Sequence, residues 1–305
     1  MTAVDPTLEA PRADAETTDA VTFSFGDRET ELYGVARAGL SAGPDGTPQA
    51  SGLGMLFAGS EPVSARAAGG LDIAELSWEA IDAGGITTSV DEPLRAWRVR
   101  YIAEDERTGF DLVFTALSEP SWLDADSPVG ELGGMQGYEQ LCRVSGNVRA
   151  RGGDRQIECL GQRGHSWGAP DWERLALVRT VSAWIGDDLA VSLSAIRDVK
   201  ASHHNEEALG ATLFAPLAED GDAELVAARD IAEPRISTTY DADGRQRRAS
   251  LELFEDEESW ARRAAGEVQC GTTLDLGRLR LDCAFFHWEM EGRSGVGRYV
   301  ILRRA

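Results

Sequence analysis

Residues 161–172 read GQRGHSWGAPDW, and no other stretch of the 305-residue chain gathers as many groups able to bind or move a proton. Within this dodecapeptide Arg163, His165 and Asp171 are proton-active or ionic, Glu173 follows directly, and Trp167 and Trp172 offer aromatic faces that attract a cation. His165, Asp171 and Glu173 are therefore the candidate catalytic acids and bases, and Arg163, Trp167 and Trp172 the candidate ligand contacts. A structural reading stands beside this one. Trp167 and Trp172 can plug the end of a barrel while His165 bonds a backbone carbonyl, and Arg163 can pair with Asp171 and hold it ionised. Pro170 fixes φ and the glycines permit tight turns, so the pattern predicts an ordered irregular connection here, neither helix nor long strand.

A second cluster, His287-Trp288-Glu289, lies in FFHWEM. Alternation puts Phe286, Trp288 and Met290 on one strand face and Phe285, His287 and Glu289 on the other, so His287, Trp288 and Glu289 join Trp184 as candidate cavity contacts. A solvent-facing polar pair is the other reading of His287 and Glu289. His203-His204-Asn205 reads as an exposed loop, and no metal site is expected because no Cys or carboxylate stands at ligand spacing. Cys142, Cys159, Cys270 and Cys283 form no CxxC pair and read as reduced, buried thiols. Lys200 is the only lysine, which leaves no other amine for Schiff-base chemistry. GHSWG places Ser166 one position out of register for a nucleophile elbow, and no Walker or dinucleotide-binding glycine loop is present. No cofactor is expected.

The elements around these residues read as strands. RAWRVRYIAE alternates, with Trp97, Val99 and Tyr101 on one face and Arg98 and Arg100 on the other; the turn at Glu106–Gly109 leads into FDLVFTAL. LALVRTVSAWIG turns at Gly186-Asp187-Asp188 and returns as LAVSLSAIRD. Short strands punctuated by Gly and Asp turns, with weak helical periodicity, predict an all-β protein of two consecutive antiparallel β-barrel or sandwich domains. The expected division is a disordered acidic tail over 1–20, a first β domain over 21–168 and a second over 169–305.

With 30 Lys and Arg against 52 Asp and Glu, the formal charge is −22. That balance argues against a nucleic-acid partner and an anionic membrane surface. The N-terminal sequence lacks the basic and apolar regions of a signal peptide and no run approaches a membrane span, so a cytoplasmic protein without stable membrane insertion is expected. Oligomeric state is left open.

From about Arg95 onward the chain resembles the two-domain, lipocalin-like (calycin-type) superfamily related to hydroxyneurosporene synthase, the carotenoid hydratase. Gly161, Arg163, His165, Ser166, Trp167, Gly168, Asp171 and Trp172 match a signature similar to G-x-R-D-H-S-W-G-x-R-D-W, while Gly164 and Pro170 depart from it. The resemblance implies two lipocalin-like domains and a cofactor-independent hydratase, cyclase or isomerase acting on a hydrophobic, isoprenoid or polyene-like small molecule. Such chemistry needs a desolvated acid to protonate carbon, which a carboxyl buried beside Trp provides through its raised pKa. Loss of the acid at 164 leaves a second expectation, a non-catalytic carrier or sensor of an apolar ligand.

Overall fold

A computed structural model describes residues 6–202, 206–216, 225–256 and 260–304. His203-His204-Asn205 lies outside the described residues. By internal contacts the chain divides into one unit of Met1–Trp122 with Gln136–Ala169 and another of Leu123–Met135 with Pro170–Ala305. Each is built on one curled antiparallel sheet.

The first unit carries β1 (Thr18–Asp27), β2 (Leu32–Ala42), β3 (Pro48–Ala58), β4 (Glu61–Asp72), β5 (Ile86–Glu92), β6 (Ala96–Ile102), β7 (Gly109–Ala116), β8 (Ser121–Leu123), β9 (Met135–Ala150) and β10 (Gly153–Gly168). Their order is β4-β3-β2-β1-β10-β9-β7-β6-β5, with β8 paired to β9. The second unit carries β11 (Leu175–Gly186), β12 (Leu189–Asp198), β13 (Glu207–Phe214), β14 (Ala228–Asp230), β15 (Glu233–Tyr240), β16 (Gln246–Phe254), β17 (Arg262–Asp275), β18 (Leu279–Met290) and β19 (Arg293–Arg304), in the order β14-β13-β12-β11-β19-β18-β17-β16-β15. The two orders are the same path, with β1 corresponding to β11 and β10 to β19. The expected all-β fold of two consecutive antiparallel β domains is what the structure shows, each as a curled half-barrel sheet.

In each sheet the concave face is the core. Trp97, Val99 and Tyr101 of β6 are buried while Arg98 and Arg100 are exposed, as their alternation requires. They pack with Phe23, Phe25, Phe110 and Phe114; Phe23 lies 5.6 Å from Trp97 and 5.2 Å from Phe114 between ring centroids. Phe286, Trp288 and Met290 face the core of the second sheet together, again following their alternation.

Three expectations need correction. Residues 6–20 are ordered: Pro6–Glu9 forms a 3-10 turn, β1 begins at Thr18, and Glu9 is 3 % exposed. Residues 1–5 lie outside the description. Leu123–Met135, expected in the first domain, belongs with the second unit, where a short helix, α1 (Pro128–Gly133), buries Val129 against Leu175 and Ile196. Ser127 caps that helix by accepting from Gly130 N, and Gly134 closes it at φ 62°. Finally, residues 161–168 are not an irregular connection but the last half of β10.

Candidate functional site

Arg163, His165 and Trp167 alternate along β10, and the ladder fixes the face they take. Val21 of β1 pairs with His165, Phe23 with Arg163 and Asp19 with Trp167. Since paired residues share a face and Val21 and Phe23 are core, the polar side chains of the motif point into the barrel. His165 is 0 % and Arg163 1 % exposed. Burial on this scale demands partners.

Asp19 supplies the first. His165 Nε2 lies 2.8 Å from Asp19 Oδ1, and since a carboxylate oxygen can only accept, Nε2–H donates to it. Nδ1 has no hydrogen-bond partner and stands 3.9 Å from Glu9 Oε2. Around the imidazole stand Trp167, Trp78 and Tyr138, with ring centroids at 5.0, 5.5 and 5.7 Å. The other oxygen of Asp19 accepts from Arg12 N at 2.6 Å, and the Arg12 guanidinium lies 4.0 Å from the Trp167 ring centroid.

Glu9 is the second partner, brought in by the Pro6–Glu9 turn. Its Oε1 accepts from Arg163 Nη2 at 2.7 Å, Leu94 N at 2.8 Å and Trp97 Nε1 at 3.1 Å; its Oε2 accepts from Tyr138 Oη at 2.5 Å and Arg163 Nη1 at 3.5 Å. Trp78 Nε1 donates to the Glu9 carbonyl at 2.8 Å. Arg163 also donates to Gln140 Oε1 at 2.6 Å, and Gln140 in turn donates to the carbonyls of Leu94 and Ser118. Burial pushes the Glu9 carboxyl pKa up, but the Arg163 charge and the bonds from Tyr138, Arg163 and Leu94 outweigh it and hold the group below its ordinary 4.5. Burial pushes the Tyr138 hydroxyl far above its usual range. Arg163 rises despite its own burial, through the charges it faces.

The remaining expected site residues scatter. The pairing considered for Arg163 and Asp171 does not form, because Glu9 holds Arg163. Asp171 is exposed and caps its own turn, accepting from Glu173 N at 3.0 Å. Glu173 is exposed and accepts from Arg304 Nη2 at 2.9 Å. Neither carboxyl has the burial beside Trp that an acid for carbon protonation requires. Trp172 packs partly buried with Val129, Leu175 and Ile196. Trp184 sits 6.5 Å from Phe285 on the face of its sheet opposite the core, whereas Trp288 is a core residue stacked on Phe286. The tryptophans therefore do not make one wall; Trp78 and Trp97, not among the expected site residues, stand with Trp167 near His165 and Glu9. His287 and Glu289 occupy the outer face of β18, 3.8 Å apart, and Glu289 borders a cleft of about 560 Å3 with Glu252, Arg263, Glu291 and Arg293. Among the described residues no group of His, Cys, Asp and Glu could hold a metal ion, and no helix is long and apolar enough to cross a membrane.

The family model described as a domain of unknown function, DUF7064, matches residues 3–302. The chain belongs to this family. Among curated proteins no sequence matches it. Among solved structures, this DUF7064 member shares its fold with an AttH candidate from Nitrosomonas europaea, with a TM-score of 0.68 at 13 % identity over 100 % of this chain and 98 % of that one. Kievitone hydratase from Nectria haematococca gives a TM-score of 0.61 at 12 % identity over 99 % and 93 %. CghA gives 0.53 at 10 % identity over 95 % and 88 %.

In this DUF7064 member the absence of an acid at position 164 costs His165 no partner. Position 164 lies on the outer face of β10, where a Cβ would meet Glu139 Cγ and Tyr138 O at 3.4 Å, ordinary contacts. A side chain there would point away from the imidazole. The acid that orients His165 comes from β1 instead.

Proposed function

We propose that this chain is a cofactor-independent hydratase- or cyclase-type enzyme acting on a hydrophobic small molecule, isoprenoid or polyene-like in character. The observation that carries this reading is the His165 site: an imidazole oriented by a carboxylate on one nitrogen, unpartnered on the other, and walled by Trp78, Trp167 and Tyr138. The fold shared with kievitone hydratase, and the resemblance of the 161–172 motif to the carotenoid hydratase superfamily, favour the same reaction class.

The residues suit such a reaction. Protonated at Nδ1, His165 is an imidazolium stabilised by Asp19, and delivers that proton to one alkene carbon. The cation left on the neighbouring carbon is stabilised by the indole faces. In a hydration, water adds to that carbon and its surplus proton returns to Nδ1, so one water is consumed and His165 is regenerated. In a cyclisation, a second double bond takes the place of water, and Nδ1 accepts the proton released on closing the product alkene. Asp19 therefore stands beside His165 in the acid-base role expected of Asp171 and Glu173.

The test is turnover of an identified polyene or isoprenoid by His165→Gln. Loss of turnover with an unchanged far-ultraviolet circular dichroism spectrum is the expected result, and full retention removes His165 from the mechanism. The alternative reading is a non-catalytic carrier or sensor of an apolar ligand. Native mass spectrometry with organic extraction separates the two, since a carrier returns its ligand unchanged and an enzyme returns it hydrated or cyclised.

A further inference from the structure

We infer that the first barrel holds a binding site for a small amphiphilic carboxylate, and that the Glu9 side chain is its built-in, displaceable occupant. The site adjoins His165 but does not depend on the catalytic reading.

Every donor to the Glu9 carboxylate comes from the barrel: Arg163 from β10, Tyr138 from β9, Trp97 from β6, and the Leu94 amide from the turn before it. The acceptor alone comes from outside the sheet. The cradle is also held without Glu9, because Gln140 grips the Arg163 guanidinium while its amide nitrogen is fixed to the Leu94 and Ser118 carbonyls. The donors are grouped for a planar carboxylate. One oxygen takes a guanidinium N–H, a backbone N–H and an indole N–H; the other takes a phenol O–H and the second guanidinium nitrogen.

Charge fixes the ligand class. With Glu9 withdrawn, Arg163 keeps Tyr138 and Gln140 as hydrogen-bond partners, both neutral, and Asp19 is committed to His165. A buried guanidinium in that state selects one negative charge over any neutral compound. The surroundings fix the rest of the molecule. The Arg163 guanidinium lies 5.6 Å from the Trp97 ring centroid and 5.3 Å from that of Tyr138, and Tyr138 packs at 5.0 Å on Trp122, which is 42 % exposed. These aromatic faces lie between the cradle and the surface, and an apolar chain attached to the carboxylate would pack against them.

Apart from the carboxylate, the ties of the segment that carries Glu9 to the barrel include the Trp78 bond to the Glu9 carbonyl, the Arg12 amide on Asp19, the stacking of Arg12 on Trp167 and the packing of Ala13 against the core. Displacing Glu9 and these ties uncovers Asp19 and Trp167, and with them His165.

Sodium octanoate tests the inference, with octan-1-ol as the neutral control of equal chain length. By calorimetry, full-length Glu9→Ala should bind octanoate at least about tenfold more tightly than the wild type, because the competing occupant is gone. Octanol should bind neither, and adding Arg163→Gln should abolish the gain. In hydrogen-exchange mass spectrometry, octanoate should speed exchange of amides 7–17 in the wild type and leave β18 and β19 unchanged. A folded Glu9→Ala with no gain in octanoate affinity overturns the proposal, as does octanol binding as well as octanoate. If Glu9→Ala does not fold, unchanged wild-type exchange of amides 7–17 in octanoate overturns it equally. Loss of His165-dependent turnover has no bearing on any of these readouts.

Discussion

Asp19 and His165 are joined side chain to side chain at 2.8 Å although the β1–β10 ladder does not pair them: His165 sits opposite Val21, and Asp19 opposite Trp167. The contact is a diagonal one across neighbouring strands on the concave face, within reach of an imidazole. It places a proton acceptor where no local sequence pattern around the motif provides one.

That contact makes Asp19→Asn informative. The amide retains the shape but no longer stabilises an imidazolium or imposes the same tautomer. Asp19→Asn should lower kcat by about 100-fold or more, the scale of a general acid-base contribution, while KM changes little. Steady-state kinetics on the substrate found for the wild type measures it, and an unchanged kcat would show that Asp19 only holds the fold.

Asp171→Asn combined with Glu173→Gln should do almost nothing. Both carboxyls are exposed, and surface substitutions of this kind change stability by about 0.5 kcal/mol or less. Urea unfolding and turnover should both match the wild type. A large loss of activity would return these residues to the candidate site.

Glu9 gives the fold a pH signature. Its carboxyl sits below its ordinary 4.5 in the folded protein, so it contributes stability that is fully present above about that value and is lost as the pH falls through the lower folded value. Thermal unfolding between pH 7 and pH 3 should show the wild type losing its stability advantage over Glu9→Gln as the acid range is reached. At neutral pH, Glu9→Gln should be the less stable by about 3 kcal/mol, the low end for breaking a buried ion pair. Parallel pH profiles for the two proteins would contradict the assignment.

In the second unit, Gly266 lies against Trp288. A Cβ at position 266 would fall 2.8–2.9 Å from three atoms of the indole. Since Trp288 is core, Gly266→Ala should destabilise the protein by about 1–3 kcal/mol through overpacking. Differential scanning calorimetry reads the shift, and an unaltered transition would mean the indole has room to move.

How much of this the sequence discloses varies with whether neighbours along the chain carry the signal. RAWRVRY and FFHWEM have apolar and polar residues at period two, and the faces they predict are the faces observed. GQRGHSW has the same period, but its inward positions are Gly, Arg, His and Trp, so polarity disguises a strand as a loop. Its compensation is remote. Glu9 lies in an acidic, proline-containing stretch of the composition expected of disorder, and what orders it are bonds to residues 85, 88, 129 and 154 positions away. The helix α1 was locally signalled after all: Ser127, Pro128 and Gly134 are an N-cap, a first-turn proline and a left-handed stop. Its single turn and a half was too brief to register as periodicity.

The separation of Glu9 from Arg163 also bears on how the protein is made. At ribosomal speeds of about 5–20 residues per second, about 8–30 seconds pass between synthesis of the carboxylate and of its guanidinium partner. Late in that interval Trp97 and then Tyr138 are made before the strand that completes their surroundings, and β1 lacks the neighbour that closes the sheet over it. The first barrel therefore locks late, in one step, when β10 emerges. Nascent chains halted before Gly153 should be protease-sensitive throughout, and those extended beyond Gly168 and clear of the exit tunnel resistant.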